Sequence, residues 1–146
     1  MRCMTLLIVL CLVAVLVAAC SSEEVEPIAV SGSAPCVDVP VVGEERGRYE
    51  CEERIDDQRV SGASTVLLYD VNLDTSPVEI TGAWILANSG GGWEGDWTGV
   101  IEDDGLHNLE GVMIGSGGYQ GLVYRVKWEY YDLTDITATG TIAPAP

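Results

Sequence analysis

Glu94 and Asp96 stand two residues apart in a run of strand-forming residues, so their side chains share one face about 7 Å apart. Glu102 follows soon after. Paired carboxylates at separations of roughly 5 to 9.5 Å serve glycosidic hydrolysis. The chain holds 23 acidic residues, however, so chance pairs are expected everywhere and this one reads as a solvated acidic face. His107, the one histidine, is flanked by Asp104 and Glu110, which could orient an imidazole, but no serine or cysteine has a recognisable nucleophile setting. Gly115-Ser116-Gly117 lacks the spacing of a nucleophile elbow. Gly90-Gly91-Gly92 is followed by Trp93, not by Lys-Ser or Lys-Thr, so it is no phosphate loop. Asp70-Val71-Asn72-Leu73-Asp74 opens like a calcium loop. Thr75 then stands where glycine must make the sharp turn, and Thr81 where a bidentate glutamate should sit. The segment reads as a polar turn between strands. No catalytic residue, metal site or cofactor is assigned from these patterns.

The balance of charge narrows the partners. Seven basic residues against 23 acidic ones give −16, and Lys127 is the only lysine. A nucleic-acid binder needs cationic surface to displace counterions from phosphates, and this chain has none to offer. With a single histidine, most zinc sites are excluded as well. A length of 146 residues holds one domain once a targeting segment is subtracted. The hydrophobic share of 47% argues against disorder, although part of it lies in the first nineteen residues.

Those residues have the three parts of an export signal. Arg2 and the terminal amine make a short cationic start, Leu6 to Val17 is apolar throughout, and Ala18-Ala19 precede Cys20. A membrane-spanning helix needs roughly 20 apolar residues, so the stretch from Leu6 to Ala19 is a signal core and no permanent span. Val17-Ala18-Ala19-Cys20 resembles the lipobox of bacterial lipoproteins, with valine in the place usually held by leucine. The resemblance implies that Cys20 is acylated and becomes the new N-terminus. It places the protein in the cell envelope, lipid-anchored on the extracytoplasmic side of a bacterial membrane. Ser21 in place of aspartate points to the outer membrane where the host has one. Loss of residues 1–19 leaves six basic and 23 acidic residues, a charge of −17 that anionic lipid surfaces repel. The partnership with the membrane therefore runs through the lipid alone, which is strong enough when several chains are attached.

Cysteine usage follows. Cys3 and Cys11 leave with the signal, Cys20 carries lipid, and Cys36 and Cys51 remain. Outside the cytoplasm that pair is most simply a disulfide. Residues 20–35, small and acidic with two prolines and no period, read as a flexible tether, and residues 36–146 as a single domain. Within Cys36 to Gly47, Val37, Val39, Val41 and Val42 could give a short edge strand. Short β-rich runs then recur between turn residues, at Tyr49 to Ile55, Ser64 to Val71, Val78 to Ala87, Trp93 to Ile101, Leu106 to Ile114, Leu122 to Tyr131 and Ile136 to Ile142. No window sustains a 3.6-residue period over helical length. The expected fold is all-β, an antiparallel barrel of about eight strands, with a β-sandwich as the alternative.

Trp93, Gly95, Trp97 and Gly99 alternate and so share one face, with Glu94, Asp96, Thr98 and Val100 on the other. Large aromatics beside glycines suit a curved, closing sheet. The same rings, with Tyr119, are also the candidate platform for a small hydrophobic or carbohydrate ligand. Gly115-Ser116-Gly117-Gly118-Tyr119-Gln120-Gly121-Leu122 resembles the G-x-G-x-Y-x-G signature of allene oxide cyclase-like and dirigent-like barrels. Arg59-Val60-Ser61-Gly62 and the Trp93 to Gly99 strand look similar to secreted relatives of that group. The likeness spans about residues 51 to 143. It implies an eight-stranded antiparallel barrel with a small central cavity, and Tyr119 at a structural corner. It transfers no reaction, since no catalytic position of the plant cyclases matches a residue here. The expected protein is a lipid-anchored extracytoplasmic β-barrel that serves as a small-ligand-binding or structural module, and not an enzyme. The alternative is a cyclase- or isomerase-type enzyme acting on a hydrophobic small molecule in the cavity.

Overall fold

The computed structural model describes residues 25–146. The expected export signal (1–19) and Cys20 lie outside the described residues, as does the start of the expected tether. The strands are β1 (Ile28–Ser33), β2 (Cys36–Val39), β3 (Gly47–Ile55), β4 (Gly62–Asn72), β5 (Val78–Asn88), β6 (Gly91–Ile101), β7 (His107–Gly117), β8 (Leu122–Tyr130) and β9 (Thr137–Pro144). One 3-10 turn, Gln58–Val60, joins β3 to β4. Every pairing is antiparallel, and the order is β1-β9-β8-β7-β6-β5-β4-β3-β2. β1 also pairs with β3, so the sheet closes into a ring of eight strands with β2 continuing beside β3. The all-β fold read from the sequence is the observed one, and closure replaces the sandwich alternative.

The ring departs from the expected tether at one place. Residues 28–33 are not a linker but the strand that closes the sheet, pairing along β9 from Ile28↔Ile142 to Ser33↔Thr137. Val30 and Ala34 are buried, and the residues between them point outward or are small. Without this segment β9 and β3 would both expose unpaired backbone edges, a liability that closure removes. β1 and β2 share one register on β3: Ser33↔Arg54 and Cys36↔Cys51 belong to the same antiparallel ladder. Only the Ala34-Pro35 step interrupts it. There Ala34 N–H donates to Ile136 O (3.0 Å) and Cys36 N–H to Leu133 O (2.7 Å), so the β8–β9 connection covers the seam. The Cys36 and Cys51 sulfurs are bonded, with Cα atoms 4.0 Å apart, directly across that ladder.

Large and small residues alternate inside the ring. Across the strands, Leu68, Gly82, Trp97, Gly111, Val126, Gly140 and Val30 form one row of paired positions. A closed sheet of eight strands leaves little interior space, so each aromatic ring needs a neighbour without a side chain. A Cβ on Gly82 would meet the Trp97 ring at 2.4 Å and Leu67 O at 1.9 Å. Trp84, Trp93, Trp97 and Trp128 are all buried, whereas Glu94 and Asp96 face solvent on the outer surface of β6.

The two ends of the ring differ. At one, the 3-10 turn acts as a plug: Val60 is fully buried, and Arg59 O accepts from Trp93 Nε1 at 2.7 Å. Trp93 stacks on Tyr119 with centroids 5.3 Å apart, and Tyr119 Oη donates to Asn88 Oδ1 at 2.7 Å. Asn88 Nδ2 in turn donates to Gln58 O and Ser61 O. Gly117 and Gly121, at φ +62° and +83°, make the turn that seats Tyr119, a conformation open to glycine at little cost. The other end is wider, and it holds a cavity.

Candidate ligand cavity

Glu53 occupies the floor of the cavity because of strand phase. β3 alternates inward residues Cys51, Glu53 and Ile55 with outward Glu52 and Arg54, and Glu53 is only 4% exposed. Its Oε1 accepts two hydrogen bonds, from Ser64 Oγ at 2.7 Å and Trp84 Nε1 at 2.9 Å. Ser64 projects from β4 and Trp84 from β5, both inward. Among the described residues every fully enclosed polar side-chain atom has a partner. Glu53 Oε2 has none, so it is the oxygen that the cavity reaches. Burial pushes the Glu53 carboxyl above the ordinary carboxylate range, and the Ser64 and Trp84 hydrogen bonds oppose that rise. Since Oε1 already accepts twice, Oε2 is the oxygen left to bond a bound molecule.

The cavity above measures about 140 Å³. Its walls are apolar: Val66 and Leu68 from β4, Ile80 from β5, Trp97 from β6, Leu109 from β7 and Trp128 from β8, with the Cys36–Cys51 disulfide at the seam. A bulge between Leu68 and Asp70 adds one residue to β4 and re-phases the strand, so that Val71 also lines the space. Half-buried Tyr49, Ile101, His107, Tyr130 and Leu133 form its outer end.

Hydrogen bonding and stacking hold the polar groups of that rim in place. His107 Nδ1 lies 3.0 Å from Gly105 O, an atom that only accepts, so Nδ1 carries a hydrogen. The imidazole stacks on Tyr130 with centroids 4.5 Å apart. Burial, with Tyr49 nearby, raises the Tyr130 phenol to about 12, and burial followed by Asp38 raises Tyr49. Tyr124, deeper in the core, is also raised, by burial and then by Glu53. All three phenols stay protonated at neutral pH.

The sequence candidates separate on this geometry. Trp97 lines the cavity, whereas Trp93 and Tyr119 seal the opposite end and lie outside its lining. None of the three offers an exposed stacking platform, since Trp93, Trp97 and Tyr119 are 1%, 3% and 9% exposed. Asp104 and Glu110 do not orient His107. Asp104 accepts from Tyr131 Oη and Leu106 N–H, and Glu110 lies outside the ring beside Lys127. Asp70, Val71 and Asn72 end β4, and Asn72 Oδ1 accepts from Asp74 N–H in the turn that follows. Among the described residues no three His, Cys, Asp or Glu side chains converge as a metal site would need. Glu53 and Ser64 were missed. The signal for Glu53 was available in its phase, between Cys51 and Ile55 on one face, but four other charges in the same nine residues mask it.

What this arrangement can do is limited and specific. A single carboxyl at the end of an apolar pocket can hydrogen-bond one polar group of a bound molecule, or exchange one proton with it. Ser64 donates to that same carboxyl, and no imidazole contacts it. Compared with protein-family models, characterised proteins and solved structures, the chain matches none of them.

Proposed function

We propose that the protein is a lipid-anchored extracytoplasmic module that binds a small, largely apolar molecule inside the ring, with its one polar group against Glu53. The observation that carries this reading is the apolar-walled cavity of about 140 Å³ with a single unpartnered carboxyl oxygen at its floor. An apolar cavity of roughly 150 Å³ accommodates benzene, which sets the ligand at one six-membered ring with a short substituent. Four tryptophans and the glycines between them supply a rigid frame, so the pocket is preformed and little ordering is lost on binding.

Benzyl alcohol is the probe that tests it. At tenfold excess over its Kd, binding to the folded state contributes about 1.4 kcal/mol, a rise of several degrees in Tm for a domain of this size. Val66→Phe places a ring in the cavity and should abolish that rise while keeping the fold. A wild-type protein whose Tm ignores the probe, or a Val66→Phe protein that still responds, refutes the cavity as the site. The anchoring half of the reading is tested separately: acyl chains on Cys20 should appear in mass spectra of the membrane fraction, and Cys20→Ala should abolish them. A mature chain starting elsewhere, with Cys20 unmodified, overturns it.

A second reading is a cyclase- or isomerase-type enzyme. Glu53 Oε2 favours it, as a carboxyl held above its ordinary range and aimed into an apolar cavity is suited to proton transfer. Turnover of any candidate substrate that survives in Glu53→Gln excludes it.

A further inference from the structure

The charges around the cavity are one-sided. Among the described residues the ion pairs are Arg46–Asp70, Arg48–Glu45, Arg54–Glu52, Arg59–Asp57 and Lys127–Glu110. None involves Glu53, which faces the cavity with no cation to balance it when ionised. The connections at the wide end continue the theme. The β2–β3, β4–β5, β6–β7 and β8–β9 connections carry Glu44, Glu45, Asp74, Glu102, Asp103, Asp104, Asp132 and Asp135 against a single basic residue, Arg46, which pairs with Asp70. At the plugged end Asp57 is answered by Arg59, and Asp56 accepts from Ser31. The field of such a rim, focused by the low-dielectric walls beneath it, draws cations toward the mouth and turns anions away.

The walls suit a cation as well. Trp84, Trp97 and Trp128 come from three different strands, with Tyr49 and Tyr130 nearer the mouth. The Trp84 and Trp128 centroids lie 6.1 Å apart, tilted at 47°. Electron-rich ring faces attract ammonium groups within about 6 Å, tryptophan most strongly, and more so where water is excluded. A carboxylate beneath and aromatic faces beside it are the two halves of an ammonium site. An anionic ligand would meet Glu53 with no donor cation to receive it. A neutral ligand would use one hydrogen bond and leave the rim without a role.

We propose that the ligand of this cavity is a small hydrophobic amine, bound as its ammonium cation, with N–H donated to Glu53 Oε2 and the apolar part among the tryptophans. This rests on the cavity being the ligand site. The ammonium supplies the charge partner that the buried carboxylate lacks, so neither ion is left uncompensated in the interior. A primary or secondary amine fits better than a quaternary one, because the contact to Oε2 is a hydrogen bond and needs an N–H. The cavity volume limits the apolar part to about one ring.

Three probes of nearly equal size separate the outcomes: benzylamine, benzyl alcohol and benzoate, each titrated at pH 7 into the intact protein by calorimetry. Benzylamine should bind about 10- to 100-fold more tightly than benzyl alcohol, the gain of one charge-assisted hydrogen bond, and benzoate should not bind. Glu53→Gln keeps the acceptor for Ser64 and Trp84 but not the charge. It should cut the amine's advantage over benzyl alcohol to within about threefold. Benzyl alcohol binding as well as benzylamine overturns the amine assignment while the cavity reading stands. So does an amine preference that survives Glu53→Gln, because the acidic rim alone would then account for it. Should no probe bind the wild-type protein, both readings fall together. The wild-type comparison decides the matter even where the variant folds poorly.

Discussion

Trp97→Ala removes the ring around which the inner row is built, and its cost can be worked from the neighbours. Trp97 is 3% exposed, and its Nε1 donates to Ala83 O at 3.0 Å. Burial of about 150 to 250 Å² of aromatic surface at about 25 cal/mol per Å² sets a ceiling of roughly 4 to 6 kcal/mol. A compact unfolded chain already hides part of that surface, which lowers the transfer contribution. The cavity contribution acts in the other direction. Trp97 is paired with Gly82 on one side and Gly111 on the other, so no adjacent side chain can fall into the hole. The void merges with the existing cavity of about 140 Å³ and stays open. The expected loss is therefore near 5 kcal/mol, the upper end of the roughly 3 to 5 found for such truncations. Guanidinium titration followed by circular dichroism, with an unchanged m-value, measures it. A loss below about 1.5 kcal/mol would show that the interior relaxes into the space, and would refute the argument from glycine-flanked rings.

The same frame makes four smaller predictions. Gly82→Ala should be strongly destabilising because its Cβ meets backbone and ring. Gly111→Ala should be mild, since the nearest obstacle at 2.4 Å is the mobile Cε of Met113; similar Tm values for the two would contradict the packing described. Burial raises Glu53 above its ordinary 4.5, so its contribution to stability is whole below that pH and is lost as pH rises through the folded value. Glu53→Gln should thus gain in stability relative to wild type between pH 4 and pH 7, and urea midpoints that shift in parallel would disprove it. Reduction of Cys36–Cys51, which closes a span of 15 residues, should cost about 3 kcal/mol, and two thiols reacting in the untreated native protein would contradict the bond. Acrylamide should quench the emission of the folded protein weakly, given four buried tryptophans; strong quenching would contradict that burial.

Strand positions were legible because the ring imposes period two on nearly every residue from Gly47 onward, and turn residues mark each reversal. The inward placement of Trp93 and Trp97 was readable for the same reason. β1 was not, because its inward positions hold Val30 and Gly32, with Ala34 just beyond, and these residues opposite Gly140 and Ala138 look like a linker in one dimension. Glu53 was hidden by its own strand: Glu50, Glu52 and Arg54 make β3 look solvated throughout, and only the phase of Cys51 and Ile55 separates the buried acid from the exposed ones. The cavity could not be read from any segment. It forms where residues of six or more strands approach one another and fail to fill the space.

The shared register of β1 and β2 gives the ring a mechanical character. Tension applied at residue 25 reaches Ile28 first and can peel β1 from Ile142 toward Thr137, one pair at a time. The peeling ends at Cys36, where the bond to Cys51 passes the load into β3 and the strands behind it. Residues 25–35 would then add a fixed length of about 35 to 40 Å. Ala34, freed just before Pro35, lies across the ladder from Glu53, between the pairs Ser33↔Arg54 and Cys36↔Cys51. A tug on the N-terminal end therefore opens a slit in the cavity wall at the carboxyl itself and stops there, which makes the first strand a tension-operated door with a covalent hinge stop.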